Sequence, residues 1–140
     1  MNIVPTLNFG GNCREAIQMY KKAFSGKINW LITYGEADDP EYNPILKENQ
    51  KDYIYHAELA VGDQRIIMSD QVDMEFQTCY SNFLTIMFDT KEEVQRAYEI
   101  MKEGSKTIYQ MEATQYSSCR VVFVDKFGIR WGIMTEQTER

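Results

Sequence analysis

Asn12-Cys13-Arg14-Glu15-Ala16-Ile17 opens a segment that runs to Gly26, and Thr90-Lys91-Glu92-Glu93-Val94 opens another that runs to Gly104. Asn and Thr are favoured helix N-caps, and in each string a Glu three residues on can return a hydrogen bond to the cap. Apolar side chains then follow helical spacing, at Ala16, Ile17, Tyr20, Ala23 and Phe24 in the first segment and at Val94, Ala97, Tyr98 and Met101 in the second. Each run stops at a glycine. Cap, tyrosine and terminal glycine are separated by the same 78 positions in the two segments. Agreement across three structurally different roles marks an internal repeat.

Outward from each helix the periodicity changes from 3.6 to 2. Residues 3–9 and 82–88 alternate apolar with other side chains and are rich in branched and aromatic types, which predicts a strand ahead of each helix. In the second copy the core positions are Leu84, Ile86 and Phe88. In the first they are Leu7 and Phe9, provided that one of Gly10 and Gly11 is an insertion, because Phe9 lies three residues before its cap and Phe88 two. Three more strands follow each helix. They are 28–34, 53–61 and 64–69, with the turn Gly62-Asp63 between the last two, and then 107–113, 118–124 and 129–134, with Asp125-Lys126-Phe127-Gly128 between the last two. Both halves read strand, helix, strand, strand, strand. The expected fold is α+β, two βαβββ modules of about residues 1–75 and 79–140 within a single domain. The longest irregular stretch, 36–52, holds Asp38-Asp39-Pro40 and Asn43-Pro44, and a lid, a dimer-contact arm and a disordered excursion are the readings open to it.

A chain of 140 residues that is 44% apolar buries one sizeable core and hardly two independent ones. Met1-Asn2-Ile3-Val4-Pro5 lacks the basic start and long apolar stretch of a leader, and no apolar run is long enough to span a bilayer, so a soluble, unprocessed protein is expected. Lys and Arg number 15 against 21 Asp and Glu, a net charge of −6 with the basic residues dispersed, which argues against nucleic acid and anionic membrane as partners. Cys13, Cys79 and Cys119 are odd in number and form no C-x-x-C pair, and a cytoplasmic location is expected from them.

Three local strings, taken in order, resemble the PhnB-like branch of the vicinal oxygen chelate superfamily, the glyoxalase and bleomycin-resistance fold. They are Gly10-Gly11-Asn12-Cys13-Arg14-Glu15-Ala16 leading to Tyr20, then His56-Ala57-Glu58-Leu59 with Ser69-Asp70 closing the next strand, then Asp125-Lys126-Phe127-Gly128-Ile129-Arg130-Trp131. Each is short, but together they span nearly the whole chain. The resemblance implies a concave pocket on curved mixed sheets, pairing of two chains, and in most members a divalent metal held by the first and last strand of each module. In that pattern the first ligand falls on Thr6, or on Pro5 without the insertion. The second falls near Met68, allowing Ile67 for register, the third on Phe83 and the fourth on Gly132. None of these carries an imidazole or carboxylate, and His56 is the only histidine in the sequence. The expectation is a metal-free member with no cofactor. PhnB-like proteins sometimes carry a demethylubiquinone methyltransferase label. A nucleotide-type methyl donor asks for an α/β domain with a glycine-rich loop whose spacing Gly10-Gly11-Asn12 lacks.

Strand alternation puts His56 and Glu58 on one face and Ala57, Leu59 and Val61 on the other. With the second set against the helices, His56 and Glu58 face the pocket as a candidate general base and its carboxylate. A structural hydrogen bond from His56, with Glu58 solvated or paired with an arginine, is the competing reading. Thr6, Asn8, Met68, Phe83, Thr85 and Met87 are expected to line the same pocket, which then suits a small, partly apolar organic ligand. Arg130 is a candidate partner for an anionic ligand or for Glu58, and Trp131 a core anchor. Cys13 sits in a helix's first turn, where a thiol pKa can be lowered. Three functions are compatible with these residues. One is a homodimer that binds a small molecule without turnover, the second a lyase, isomerase or dioxygenase using His56 and Glu58 or a metal, and the third a dimeric assembly module.

Overall fold

The structure, a computed structural model, describes residues 1–136 and divides into two compact units, Met1–Gln77 and Thr78–Arg140. The first unit runs β1 (Thr6–Phe9), α1 (Cys13–Ala23), β2 (Lys27–Thr33), a one-turn α2 (Tyr34–Ala37), β3 (Ile54–Val61) and β4 (Gln64–Asp70). Its sheet has the order β1-β4-β3-β2, with β1 parallel to β4 and the other pairs antiparallel. The second unit repeats the plan with β5 (Leu84–Phe88), α3 (Lys91–Met101), β6 (Lys106–Glu112), β7 (Arg120–Val124) and β8 (Arg130–Thr135). Its order is β5-β8-β7-β6, with β5 parallel to β8. The fold is α+β, built of two four-stranded mixed sheets, as the repeat predicts.

One face of each sheet is apolar because alternate residues turn the same way. In the first unit Phe9, Ala57, Leu59, Ile66 and Met68 are buried there, as are Cys13, Ala16, Ile17, Tyr20 and Ala23 on one side of α1. In the second, Val121, Phe123, Trp131 and Ile133 are buried together with Val94, Ala97 and Met101 of α3. Burying each larger side chain contributes about 1.5–3 kcal/mol. β1 begins at Thr6, later than the alternation suggests, because Pro5 has no N–H for the ladder, although its carbonyl accepts from Ile67 N at 2.9 Å.

The repeat extends to hydrogen bonding. α1 and α3 each end with the cap N–H of Phe24 or Lys102 donating to the carbonyl of Tyr20 or Tyr98. Their beginnings differ. Thr90 caps α3 by accepting from Glu93 N at 3.2 Å, whereas Asn12 makes no side-chain cap bond, so the expected Asn12–Glu15 capping box does not form. Asp70 takes its place. Its buried carboxylate accepts from Gly11 N at 2.9 Å and Cys13 N at 3.0 Å through Oδ1, and from Ile54 N at 2.8 Å through Oδ2. The β1–α1 turn is one residue longer than the β5–α3 turn, and within it Gly11 has φ of 115° and the Tyr53 ring 2.7 Å from where a Cβ would stand. Gly26 acts by close approach, since a Cβ there would meet the Ala60 carbonyl at 2.8 Å.

The 36–52 stretch is folded onto its own unit. It contains 3₁₀ turns at Asn43–Ile45 and Glu48–Gln50. Tyr34, Tyr42 and Tyr55 pack edge to face with centroids 5.3 to 5.9 Å apart, and Tyr55 Oη donates to Asp39 Oδ2 at 2.7 Å.

Asp70→Asn tests the carboxylate's role. An amide offers one acceptor where three N–H groups converge, and it adds donors facing them. The variant is expected to lose about 1–3 kcal/mol of unfolding free energy, read from the urea midpoint at unchanged m-value.

Candidate ligand-binding site

On the first sheet, the face away from α1 carries Thr6 and Asn8 from β1, Ile67 and Ser69 from β4, and His56 and Glu58 from β3, with Trp30 of β2 beside Glu58. His56 Nε2 and Glu58 Oε2 are 2.9 Å apart. An ionised carboxylate only accepts, so Nε2 carries the proton. Arg65 Nη1 donates to the other oxygen at 3.2 Å. The hydrogen bond from His56 and the charge of Arg65 hold the Glu58 carboxyl below its ordinary value. Glu58 is thus a weak base with both oxygens engaged, its arginine partner is Arg65, and His56 has one ring nitrogen committed to it. Asn8 Oδ1 likewise accepts from Ser69 Oγ at 2.8 Å.

Met68 leaves this face. Its cross-strand partner is Ala57, both are fully buried, and Ile67 takes the outward place beside Thr6 and Glu58. A one-residue slip turns a side chain to the opposite face of a sheet, so the sequence-level placement of Met68 in the lining is corrected to Ile67. The metal pattern implied by the fold can be tested on these positions. Thr6 lies beside Ile67 on one sheet, and Phe83 beside Gly132 on the other. One hydroxyl among four positions does not fit a divalent ion. Among the described residues no group of three or more His, Cys, Asp or Glu side chains converges to hold one.

Phe83, Thr85, Met87 and Arg130 come together on the second unit. They line a cavity of about 240 Å³ with Tyr109, Tyr116, Arg120, Val122, Gly132 and Met134. The register explains the hollow. Thr85, Gly132, Val122 and Tyr109 form one row across β5, β8, β7 and β6, and Gly132 leaves a gap in its middle. A Cβ at Gly132 would meet Thr85 Oγ1 at 3.3 Å and Phe83 Cε2 at 3.4 Å. Phe83, Met87 and Tyr109 are 41, 49 and 50% exposed, an apolar rim open to solvent. The Arg130 guanidinium stacks 4.3 Å from the Phe83 ring centroid, and Arg120 lies 5.0 Å from Tyr109 and 5.8 Å from Tyr116. The lining residues Arg120, Tyr109 and Tyr116 were not singled out by the sequence reading. Alternation back from Val122 to Arg120 on β7 is the signal that finds the first of them.

The cysteines play no part at either sheet face. Burial and the neighbouring Asp70 carboxylate push the Cys13 thiol far above its ordinary value, the reverse of the expected helix-terminus effect, and burial pushes Cys119 up.

Two βαβββ units of this topology define a protein of the vicinal oxygen chelate class. A family model described as 3-demethylubiquinone-9 3-methyltransferase matches residues 1–134, and the chain belongs to that family, the PhnB-like branch of the superfamily. Protein YjdN of Escherichia coli (strain K12) is 28% identical over 140 residues, covering 95% of this chain and 94% of that protein. The crystal structure of protein PA1353 from Pseudomonas aeruginosa is similar at a TM-score of 0.84 and 29% identity, covering 99% of both chains. The fosfomycin resistance protein FosX from Listeria monocytogenes, solved with Mn(II) and sulfate, shares the fold at a TM-score of 0.63 and 12% identity over 98% of this chain and 93% of that one.

A thiol reagent such as Ellman's is expected to titrate one fast cysteine per native chain, exposed Cys79, because Cys13 and Cys119 are buried. All three should react in denaturant. A fast native reaction at Cys13 would contradict its burial.

Proposed function

We propose that the protein is a ligand-binding member of its family, holding a small, partly apolar organic molecule in the cavity of its second unit and working without a metal. The observation that carries this reading is the hollow above Gly132, walled by aromatic and methionine side chains, with Arg120, Arg130 and Thr85 among them as polar groups. Such a lining is the usual character of small-molecule sites, and a volume below the roughly 300–1,000 Å³ of drug-sized pockets suits a compact ligand. Absence of a metal is supported by donor chemistry, since Thr6, Ile67, Phe83 and Gly132 offer a single hydroxyl. The His56–Glu58–Arg65 cluster is a structural clamp in this reading, because its members satisfy one another. The homodimer is retained as part of the proposal. Edge strand β6 leaves Ile108 and Tyr109 exposed, and a native mass twice that of the chain is its check.

The methyltransferase activity in the family's description is not adopted. The strand-to-helix turn at Gly10-Gly11 is where an anionic cofactor group would seek a helix N-terminus, and the N–H groups of Gly11 and Cys13 already serve Asp70.

The test is a thermal-shift screen of small aromatic and aliphatic molecules against wild type, Gly132→Val and His56→Ala. A ligand at a hundred times its Kd adds about 2.7 kcal/mol of stability, a shift of several degrees. Gly132→Val fills the hollow at a cost of about 1–3 kcal/mol, and it is expected to keep the fold and lose the ligand shift. His56→Ala should keep the shift. Stabilisation that survives Gly132→Val would place binding elsewhere and refute the proposal.

A further inference from the structure

We infer that the ligand of the second-unit cavity is a small organic oxyanion, a carboxylate or phosphonate on a flat, unsaturated body; this rests on the cavity being a ligand site. The argument starts from two arginines on neighbouring strands. Both Arg120 and Arg130 line the hollow, and in each the buried Nε has no hydrogen-bond partner. Their Nη1 atoms are engaged, Arg120 Nη1 donating to Tyr116 Oη and Arg130 Nη1 donating to the Tyr80 carbonyl at 3.0 Å. Nε and Nη2 point along the same side of a guanidinium, the edge that grips two oxygens of one carboxylate or phosphonate. That edge is left without an acceptor at Nε in both residues. Among the described residues neither arginine forms an ion pair with a carboxylate. Glu112 is the strand partner of Arg120, yet it is exposed and makes no ion pair with it.

A buried, unsatisfied N–H costs free energy. Two of them on cations in one hollow, in a chain whose net charge is −6, are groups arranged for an anion brought from outside. The register places them well. Arg120 sits one same-face row to one side of Gly132 and Arg130 one row to the other, about 13 Å between their rows at the usual strand rise. Both lean toward the Gly132 row. Arg130 stacks on Phe83, whose ring edge comes within 3.4 Å of a Gly132 Cβ, and Arg120 stacks on Tyr109, the β6 member of that row. The remaining lining is Thr85, Met87, Met134 and Val122, apolar but for the Thr85 hydroxyl. It offers flat and polarizable surface to the body of the molecule.

The test titrates the full chain with benzoate, phenylphosphonate and the neutral isostere benzamide, following the methyl resonances of Met87 and Met134 by NMR. Arg120→Met, Arg130→Met and the double variant keep side-chain length without charge, and their melting temperatures report folding. Benzoate or phenylphosphonate is expected to shift both methyls and to bind at least tenfold more tightly than benzamide. Each single variant should weaken that binding tenfold or more, and the tighter of the two anions identifies the head group. Benzamide binding as tightly as the anions, or unchanged anion binding in the folded double variant, overturns the oxyanion inference and leaves the ligand-pocket reading standing. If neither anion shifts the methyls, the oxyanion inference falls. If benzamide and the Gly132→Val screen are silent as well, the pocket reading falls with it.

Discussion

The Asp70 carboxylate is the point on which the first unit hangs. It joins the β1–α1 turn, through Gly11 and Cys13, to the start of β3, through Ile54, and the Asp70 carbonyl accepts from Tyr34 Oη at 2.7 Å. Four segments distant in sequence therefore meet on one residue. Burial pushes this carboxyl above its ordinary value, while the three backbone N–H groups and Arg14 pull the other way. The balance is the usual one for an interior charge, where desolvation is tolerated only if donors surround it. The donors at Gly11 and Cys13 lead into α1, so the carboxylate also meets the positive end of the helix dipole.

The second unit solves the same position differently. Thr135 pairs with Phe88 as Asp70 pairs with Phe9, but it is a neutral hydroxyl. Its Oγ1 lies 2.8 Å from both Ser117 Oγ and Ser118 Oγ and accepts from Ser118 N at 3.0 Å. No anion is needed at the start of α3, because Thr90 caps that helix locally. The two copies share topology and helix ends, and they diverge where a local cap and a long-range one are interchangeable.

This divergence explains what was legible in the sequence. The strands, helices and their order follow from periodicity and caps, which are local. The outward face of β3, with His56 and Glu58, was legible for the same reason, since alternation within one strand needs no partner. Met68 was misplaced because its facing depends on the register of β4 against β3, which sequence leaves open to a one-residue slip. Asp70 read only as part of a short string, because its three donors lie 16 to 59 residues away. The grouping of Arg120 with Arg130 was hidden likewise: the β7–β8 pairing brings both to one cavity, and only Arg130 falls in a string that drew notice.

Gly132 shows how the absence of a side chain shapes a sheet surface. In the middle of a four-strand row, flanked by Thr85 and Val122, any larger residue would close the sheet surface and press on Phe83. A glycine inside a strand weakens it through backbone entropy and lost packing. That cost is acceptable here because β8 is buried on its other face by Trp131 and Ile133. The Trp131 indole is itself fixed by Nε1 donating to Asp125 Oδ2 at 2.9 Å, while Asp125 Oδ1 accepts from Phe127 N and Ile129 N to close the β7–β8 turn. Asp125 thus ties the turn and the start of β8 together immediately before the empty position at Gly132. The third string of the family resemblance therefore runs directly into the glycine at the centre of the pocket.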